Sequence, residues 1–315
     1  IESYYGKGKM EGNVTIITEA GLLTKRSHQE LEARLESLTD QLASFMSRGS
    51  VALELNRKGI GIFNSGDVEG AIREFTRAIE HHPGFPSSYD NRGVARRYAG
   101  DFAGAMADHD RAIELNPRGY SAYNNRGTVK LFMEDLEGAI ADYTRAIELR
   151  PHHFGLYNNR GNARMSSGDD EGAAEDFTRA LELNPDNPGA LNNRGWIYVK
   201  QEKYPDAISD LDRAISLEQR PSFFDTRGWA YFFLDRLEEA RRDAGAALSL
   251  DPESYYSRAL LYRIEVREGD REEAVDSLRR YVLERQGREI DEESFQLLRY
   301  FAGETGAGEL QTCEE

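Results

Sequence analysis

The chain has a single cysteine, Cys313, so no disulfide can form within it, and the cysteine count does not fix a redox compartment. No stretch approaches the run of about 18 to 20 apolar residues that a membrane span requires. Positive charge is in deficit: 40 Lys and Arg face 56 Asp and Glu, a net of −16, which argues against a broad phosphate-binding surface and against nucleic acid as a partner. Histidine is scarce. The pairs His81-His82 and His152-His153 are not at metal-ligand spacing, and His109 occupies a position that is Tyr143 or Phe177 in neighbouring segments, which is a core role. "GKGK" at Gly6 to Lys9 is too short for a phosphate loop and lacks its Ser or Thr. Cys313 has no local base beside it. No catalytic site, metal or cofactor is therefore read from this sequence.

What the chain has in abundance is one motif. "NNRG" stands at Asn124 to Gly127, Asn158 to Gly161 and Asn192 to Gly195, with "DNRG" at Asp90 to Gly93, each 34 residues from the next. "DTRG" at Asp225 to Gly228 follows after 33, and "NRKG" at Asn56 to Gly59 begins the series. Twelve residues after each glycine comes an alanine (Ala71, Ala105, Ala139, Ala173, Ala207, Ala240), and a second follows seven residues later. Proline closes most units, at Pro83, Pro117, Pro151, Pro185 and Pro252. Apolar residues in "AIADYTRAIEL" from Ala139 recur at helical spacing, and short turns such as "SGD" and "AGD" separate paired helices. Each unit is thus a helical hairpin whose apolar face is buried only by stacking on its neighbours.

In period and markers the chain resembles the tetratricopeptide repeat family. The likeness covers about residues 52 to 287: six regular units (52–85, 86–119, 120–153, 154–187, 188–220, 221–253) and a degenerate seventh, 254–287, with Tyr262 in place of the first glycine and Leu261 and Ser277 in place of a charged pair. It implies an all-α fold, a right-handed superhelical solenoid of stacked antiparallel helix pairs, and a noncatalytic module that binds a peptide or protein segment in a concave groove. The alternative is a self-assembling scaffold or adaptor that uses its ends or convex face, and so a homo-oligomer. The family's lysine-and-asparagine clamp for acidic chaperone tails is not matched: of its positions, here Asn56, Ile60, Asn91, Ser121 and Asn125, only Asn91 fits.

At repeat position 7, where the family usually has a large apolar residue, stand Lys58, Arg92, Arg126, Arg160, Arg194 and Arg227. Sixteen residues on come Glu74, Asp108, Asp142, Asp176, Asp210 and Asp243. The two vary in step, as a charge pair inside each hairpin would; ligand binding is the competing role. Arginines at position 26 (Arg77, Arg111, Arg145, Arg179, Arg213) show no sequential partner and read as solvated or inter-repeat groups.

By the family pattern, Asn91, Asn125, Asn159 and Asn193 fall on the first helix's inner face. A row of amides there is similar to the asparagine ladder of O-linked N-acetylglucosamine transferase, in that feature alone, since no transferase domain follows. Arg57 and Thr226 interrupt the row at its ends. Amides suit an extended peptide backbone; the other reading is that they cap or bridge adjacent hairpins. Tyr98, Phe132, Trp196, Trp229, Phe232 and Phe233 are aromatic anchors for a partner, or else core. Arg97, Lys130 and Arg164 are candidates for basic character in the groove; the alternative is that residues at repeat position 11 point elsewhere.

At the ends, residues 1–26 read as an extended or partly ordered arm, with Asn13 to Ile17 either an isolated strand or extended chain, and 27–47 as an amphipathic helix with a capping box at Ser27 and Glu30. Its stripe of Leu31, Leu35, Leu38, Leu42 and Phe45 either caps the first repeat or pairs with another subunit. Residues 288–302 read as a capping helix and 303–315 as an acidic flexible tail. The cytoplasm is the favoured compartment; a signal or membrane anchor upstream of Ile1, with an extracytoplasmic location, stays open.

Overall fold

The structure is a computed structural model in which residues 17–18, 21–22, 25–270 and 274 are described, without the side chains of 17–18, 21–22, 25–30 and 41–47. The arm over 1–16, Ser277 with the end of the seventh unit, the capping helix over 288–302 and the tail with Cys313 lie outside the described residues. The described chain is an all-α solenoid of stacked antiparallel helix pairs, apart from one two-residue antiparallel ladder, and falls into two compact units, 1–118 and 119–315.

The first unit pairs β1 (Ile17–Thr18) with β2 (Gly21–Leu22), then forms α1 (Lys25–Asn64), α2 (Val68–His81), α3 (Pro86–Tyr98) and α4 (Phe102–Leu115). The separate helix expected over 27–47 does not exist as such: α1 runs unbroken through it into the first repeat. Because α1 begins at Lys25, Ser27 lies inside the helix and cannot be its N-cap. Leu31, Leu35 and Leu38 are exposed, so these three residues of the stripe do not cover the first repeat. The second unit contains α5 (Tyr120–Phe132), α6 (Leu136–Leu149), α7 (Phe154–Ser166), α8 (Asp170–Leu183), α9 (Pro188–Lys200), α10 (Tyr204–Leu217), α11 (Pro221–Phe233), α12 (Leu237–Leu250) and α13 (Tyr255–Glu268). In both units odd-numbered helices open a hairpin and even-numbered ones close it, and within a unit a closing helix packs on the opening helix that follows it there.

Local chemistry sets the hairpins. Asp67, Asp101, Asp135 and Asp169 cap the second helices by accepting from the N–H of Gly70, Gly104, Gly138 and Gly172. The turn before each cap needs a left-handed residue. Gly66, Gly100 and Gly168 supply it, whereas Glu134, Glu202 and Asp235 adopt it at φ 59 to 62° against the steric preference of an L-residue. At the helix crossing, a Cβ on Gly161 would lie 2.9 Å from the Phe177 ring and one on Gly93 2.7 Å from His109, so only glycine lets the two helices approach this closely. In the sixth hairpin the ring position is the small Ala244, and Leu260 from α13 fills the space beside Gly228 instead.

Close approach brings the charged pairs inside. Arg126 donates from Nε to Asp142 Oδ2 at 2.8 Å and from Nη2 to Oδ1 at 2.6 Å. The same two-pronged bond joins Arg92 to Asp108, Arg160 to Asp176, Arg194 to Asp210 and Arg227 to Asp243, at 2.7 to 2.9 Å. Lys58 meets Glu74 at 3.0 Å. The five aspartates are buried. The arginines also tie hairpins together: Arg92, Arg160 and Arg194 reach Thr76, Thr144 and Thr178 of the preceding hairpin, and Arg227 reaches Asp212. Lys130 and Arg164, candidates for basic groove residues, instead bind Asp142 and Asp176 at 2.9 and 3.0 Å, and Arg96 does the same for Asp108. The position-26 arginines do have sequential partners. Arg111, Arg145 and Arg179 pair with the glutamate three residues on and Arg77 with the one three residues back, while Arg213 reaches Asp186. These are half-exposed surface pairs worth little.

Two outcomes follow from this packing. Asp142→Ala strands Arg126 and Lys130 and is expected to cost about 3–5 kcal/mol, read as a fall in Tm; the triple replacement Arg126→Met, Lys130→Met and Asp142→Leu, which leaves no charge unpaired, should lose much less. A single variant that melts like the parent sinks the buried-pair account. Glu134→Gly should gain about 0.5–1 kcal/mol by relieving the left-handed turn, and an unchanged or lower urea midpoint contradicts it.

Candidate functional site

The opening helices carry every polar and aromatic group considered as a binding residue, and the asparagines are already partly engaged. Asn91 on α3 donates from Nδ2 to Asn56 on α1 at 3.0 Å. In the second unit Asn159 on α7 donates to Asn124 on α5 at 2.8 Å, and Thr226 on α11 donates to Asn192 on α9 at 3.1 Å. Asn193 departs from this register: it donates to Asn162 at 2.7 Å and accepts from Asn192 at 3.2 Å. Asn125 accepts from its neighbour Asn124 at 3.3 Å. The amides thus bridge consecutive opening helices, the alternative that stood beside ligand binding. All four candidates are half-buried.

The first residue of each block also finds its duty here. Asn124 and Asn192 accept the bridging bonds. Asp90 stands where His109 from α4 needs an acceptor: His109 Nδ1 lies 3.0 Å from Asp90 Oδ1, with both groups buried. Asp225 differs again. No histidine faces it; both its oxygens accept from serine hydroxyls, Ser254 and Ser257, at the start of α13. Burial pushes the Asp225 carboxyl above the usual carboxylate range, against a downward pull from the two serines.

The aromatic candidates divide by unit. In the first, Tyr98 is exposed, packs edge-on against Phe63 at 5.2 Å and lies under the Arg97 guanidinium at 4.4 Å. In the second, Phe132 is exposed, and Trp196 keeps 39 % of its surface in solvent. Trp229 is half-buried and packs against Phe232 and Phe233, at 5.7 and 5.9 Å. Between α9, α11 and α13 these tryptophans line an open pocket of about 250 Å³ with Ser222, Asp225, Thr226 and Tyr256. Tyr256 is 55 % exposed and stacks at 4.0 Å on Tyr255. Sequence reasoning brought out the tryptophans but missed Asp225 and Tyr256. The available signal was the change from Asn to Asp at position 5 of a unit whose second helix carries no histidine.

Among the described residues no group of three or more His, Cys, Asp or Glu is placed to hold a metal ion, and no helix is long and apolar enough to cross a membrane. Family profiles match the chain as tetratricopeptide repeat over 120–153, 188–221 and 223–254, and as TPR repeat over 161–201. Comparison with curated proteins finds no match. Solved structures do match. A tetratricopeptide repeat protein from Parabacteroides merdae is 18% identical with a TM-score of 0.62, over 81% of this chain and all of that one. Pseudomonas aeruginosa pilF is 18% identical with a TM-score of 0.63, over 68% of this chain and 98% of its own. YrrB, described as a TPR protein with an unusual peptide-binding site, is 21% identical with a TM-score of 0.50, over 58% of this chain and 95% of its own. With six marker glycines in register, hairpins stacked in each unit and profiles matching 120–153, 161–221 and 223–254, the chain contains tetratricopeptide repeats over those stretches and has the corresponding solenoid fold.

Proposed function

We propose that this chain is a noncatalytic interaction module that holds an extended segment of a partner protein against its opening helices. The observation that carries this reading is the open aromatic pocket formed by Trp196, Trp229 and Tyr256 on successive opening helices. Large aromatic side chains left in solvent beside polar groups are what protein interfaces use as anchors. Tyr98 and Phe132 extend the same chemistry elsewhere on the opening helices, each within its own unit. YrrB, which has the same fold, carries a peptide-binding site. The amides have a reduced part in this reading. Asn91, Asn159 and Asn193 each commit an N–H to a neighbouring helix, and an amide has two N–H donors and an acceptor oxygen to share. They hold the hairpins in register first and meet a peptide backbone second, so any likeness to the transferase ladder concerns that second duty alone.

A second reading, self-assembly, is favoured by one feature: Leu31, Leu35 and Leu38 on α1 are 41, 63 and 55 % exposed at a spacing of four and three, an uncovered apolar stripe.

Panning a displayed random-peptide library on the full chain is expected to select binders, and Phe132→Ala with Trp196→Ala to weaken them by about tenfold or more at an unchanged Tm. Equal binding by that variant, or no selection at all, refutes the groove reading. For self-assembly, sedimentation of the parent should show a concentration-dependent oligomer that Leu35→Glu with Leu38→Glu converts to monomer. A parent that is monomeric throughout removes the second reading.

A further inference from the structure

Seven aspartates are buried among the described residues: Asp90, Asp108, Asp142, Asp176, Asp210, Asp225 and Asp243. Five of them hold an arginine in a two-pronged bond, and Asp90 holds His109. Asp225 has two serine hydroxyls and, among the described residues, no cation. A buried carboxylate without a counter-charge is costly, and five of the seven avoid that cost with an arginine. The charges that bear on Asp225 add to it: Asp251 and Asp243 are both acidic, Asp243 being matched already by Arg227.

This unmatched carboxylate is not sealed in the core. It lines the pocket between α9, α11 and α13 together with Trp196, Trp229 and Tyr256. Three aromatic rings around a cavity with a carboxylate in its wall form an arrangement selective for positive charge, because ring faces attract a cation and resist an anion. The hydroxyls of Ser222 and Thr226 supply the remaining polar lining. A carboxylate oxygen that accepts one hydroxyl proton keeps a further lone pair for an incoming N–H. The excess of 56 acidic over 40 basic residues favours approach of a basic partner over an acidic one.

We propose that this pocket receives an arginine or lysine side chain of the bound protein segment, with Asp225 as counter-ion and Trp196, Trp229 and Tyr256 enclosing the cation. The proposal rests on the groove reading above and specifies its partner: the segment carries a basic residue. It inverts the charge logic of a site for acidic tails, since the missing charge here is positive and comes from the ligand.

The chain's two tryptophans both line this pocket, so intrinsic tryptophan fluorescence reports on it directly. The probes are end-blocked pentapeptides Ala-Ala-X-Ala-Ala in which X is arginine, lysine, citrulline or norleucine, titrated into the full chain. Arginine and lysine peptides are expected to give a saturable change, with citrulline and norleucine about tenfold weaker. Asp225→Asn removes a buried charge while retaining an acceptor, so it should melt no lower than the parent and lose the preference for charge. Tyr256→Ala, at a half-exposed side chain, gives a second variant that folds independently of the Asp225 network and should weaken both cationic peptides. Citrulline binding as tightly as arginine, a preference that survives in Asp225→Asn, or no saturable change with any peptide overturns the proposal. Groove binding itself is judged separately, by the library selection and its Phe132 and Trp196 variant. Selected peptides that bind the parent and Asp225→Asn alike would leave that reading standing while this one fails.

Discussion

A carboxylate cannot remain charged between two packed helices unless a cation accompanies it, and that requirement organises each hairpin. Glycine against an aromatic or leucine side chain draws the helices together, as at Gly161 with Phe177, and this closeness puts the aspartate of the second helix out of water. Arginine is the suitable partner because its flat fork satisfies both oxygens at once and its stem packs along the rings; the Arg160 guanidinium lies 5.9 Å from the Tyr157 centroid. Its remaining N–H groups reach the preceding hairpin, so one side chain closes its own hairpin and joins it to the last. Glycine, arginine and aspartate therefore recur together: removing any one leaves the other two without a reason to be there.

What could be read from the sequence follows from how local each interaction is. The Arg126 to Asp142 bond spans sixteen residues within one hairpin, and the repeat itself exposed it, since internal copies change both ends together. Helix caps and turns are more local still, and the Asp-x-x-Gly spacing gives them away. Bonds between hairpins were much less legible. That Asn159 donates to Asn124, or that Asn193 turns aside to Asn162, depends on side-chain reach between stacked helices, which spacing alone does not encode. The direction of the basic residues at position 11 stayed open for the same reason. Lys130 and Arg164 stand one helical turn beyond the paired arginine and bend back to the same aspartate, so their charge is spent inside rather than offered to a ligand. Helix α1 shows another limit: residues 27–47 and the first repeat each read correctly as helix, but nothing between them signalled that they are one.

The candidate site was half legible. Trp196 and Trp229 stand out because both are rare and fall on equivalent positions of successive units. Asp225 does not stand out in an acidic chain, and its meaning comes only from what fails to face it. In the second unit of the array an aspartate at this position is answered by His109; at Asp225 the answering groups are two serines of the next helix. Tyr256 belongs to a unit that has lost the family's first glycine, where the sequence pattern carries least information.

Regularity and function pull in opposite directions along such a chain. A repeat that reproduces its neighbours also reproduces their satisfied polar groups, so its arginines, amides and aspartates are consumed in holding the stack together. Capacity to bind is left where the pattern departs from itself. The linker before the sixth unit is one residue short, and that unit carries Ala244 where earlier units place a ring or leucine, borrows Leu260 from the following helix, and presents Asp225 and Thr226 where the three units before it have asparagines. Each change alone reads as erosion near the end of an array. Together they leave a carboxylate that no cation among the described residues matches beside three aromatic rings in an open pocket, where the regular units match theirs with an arginine.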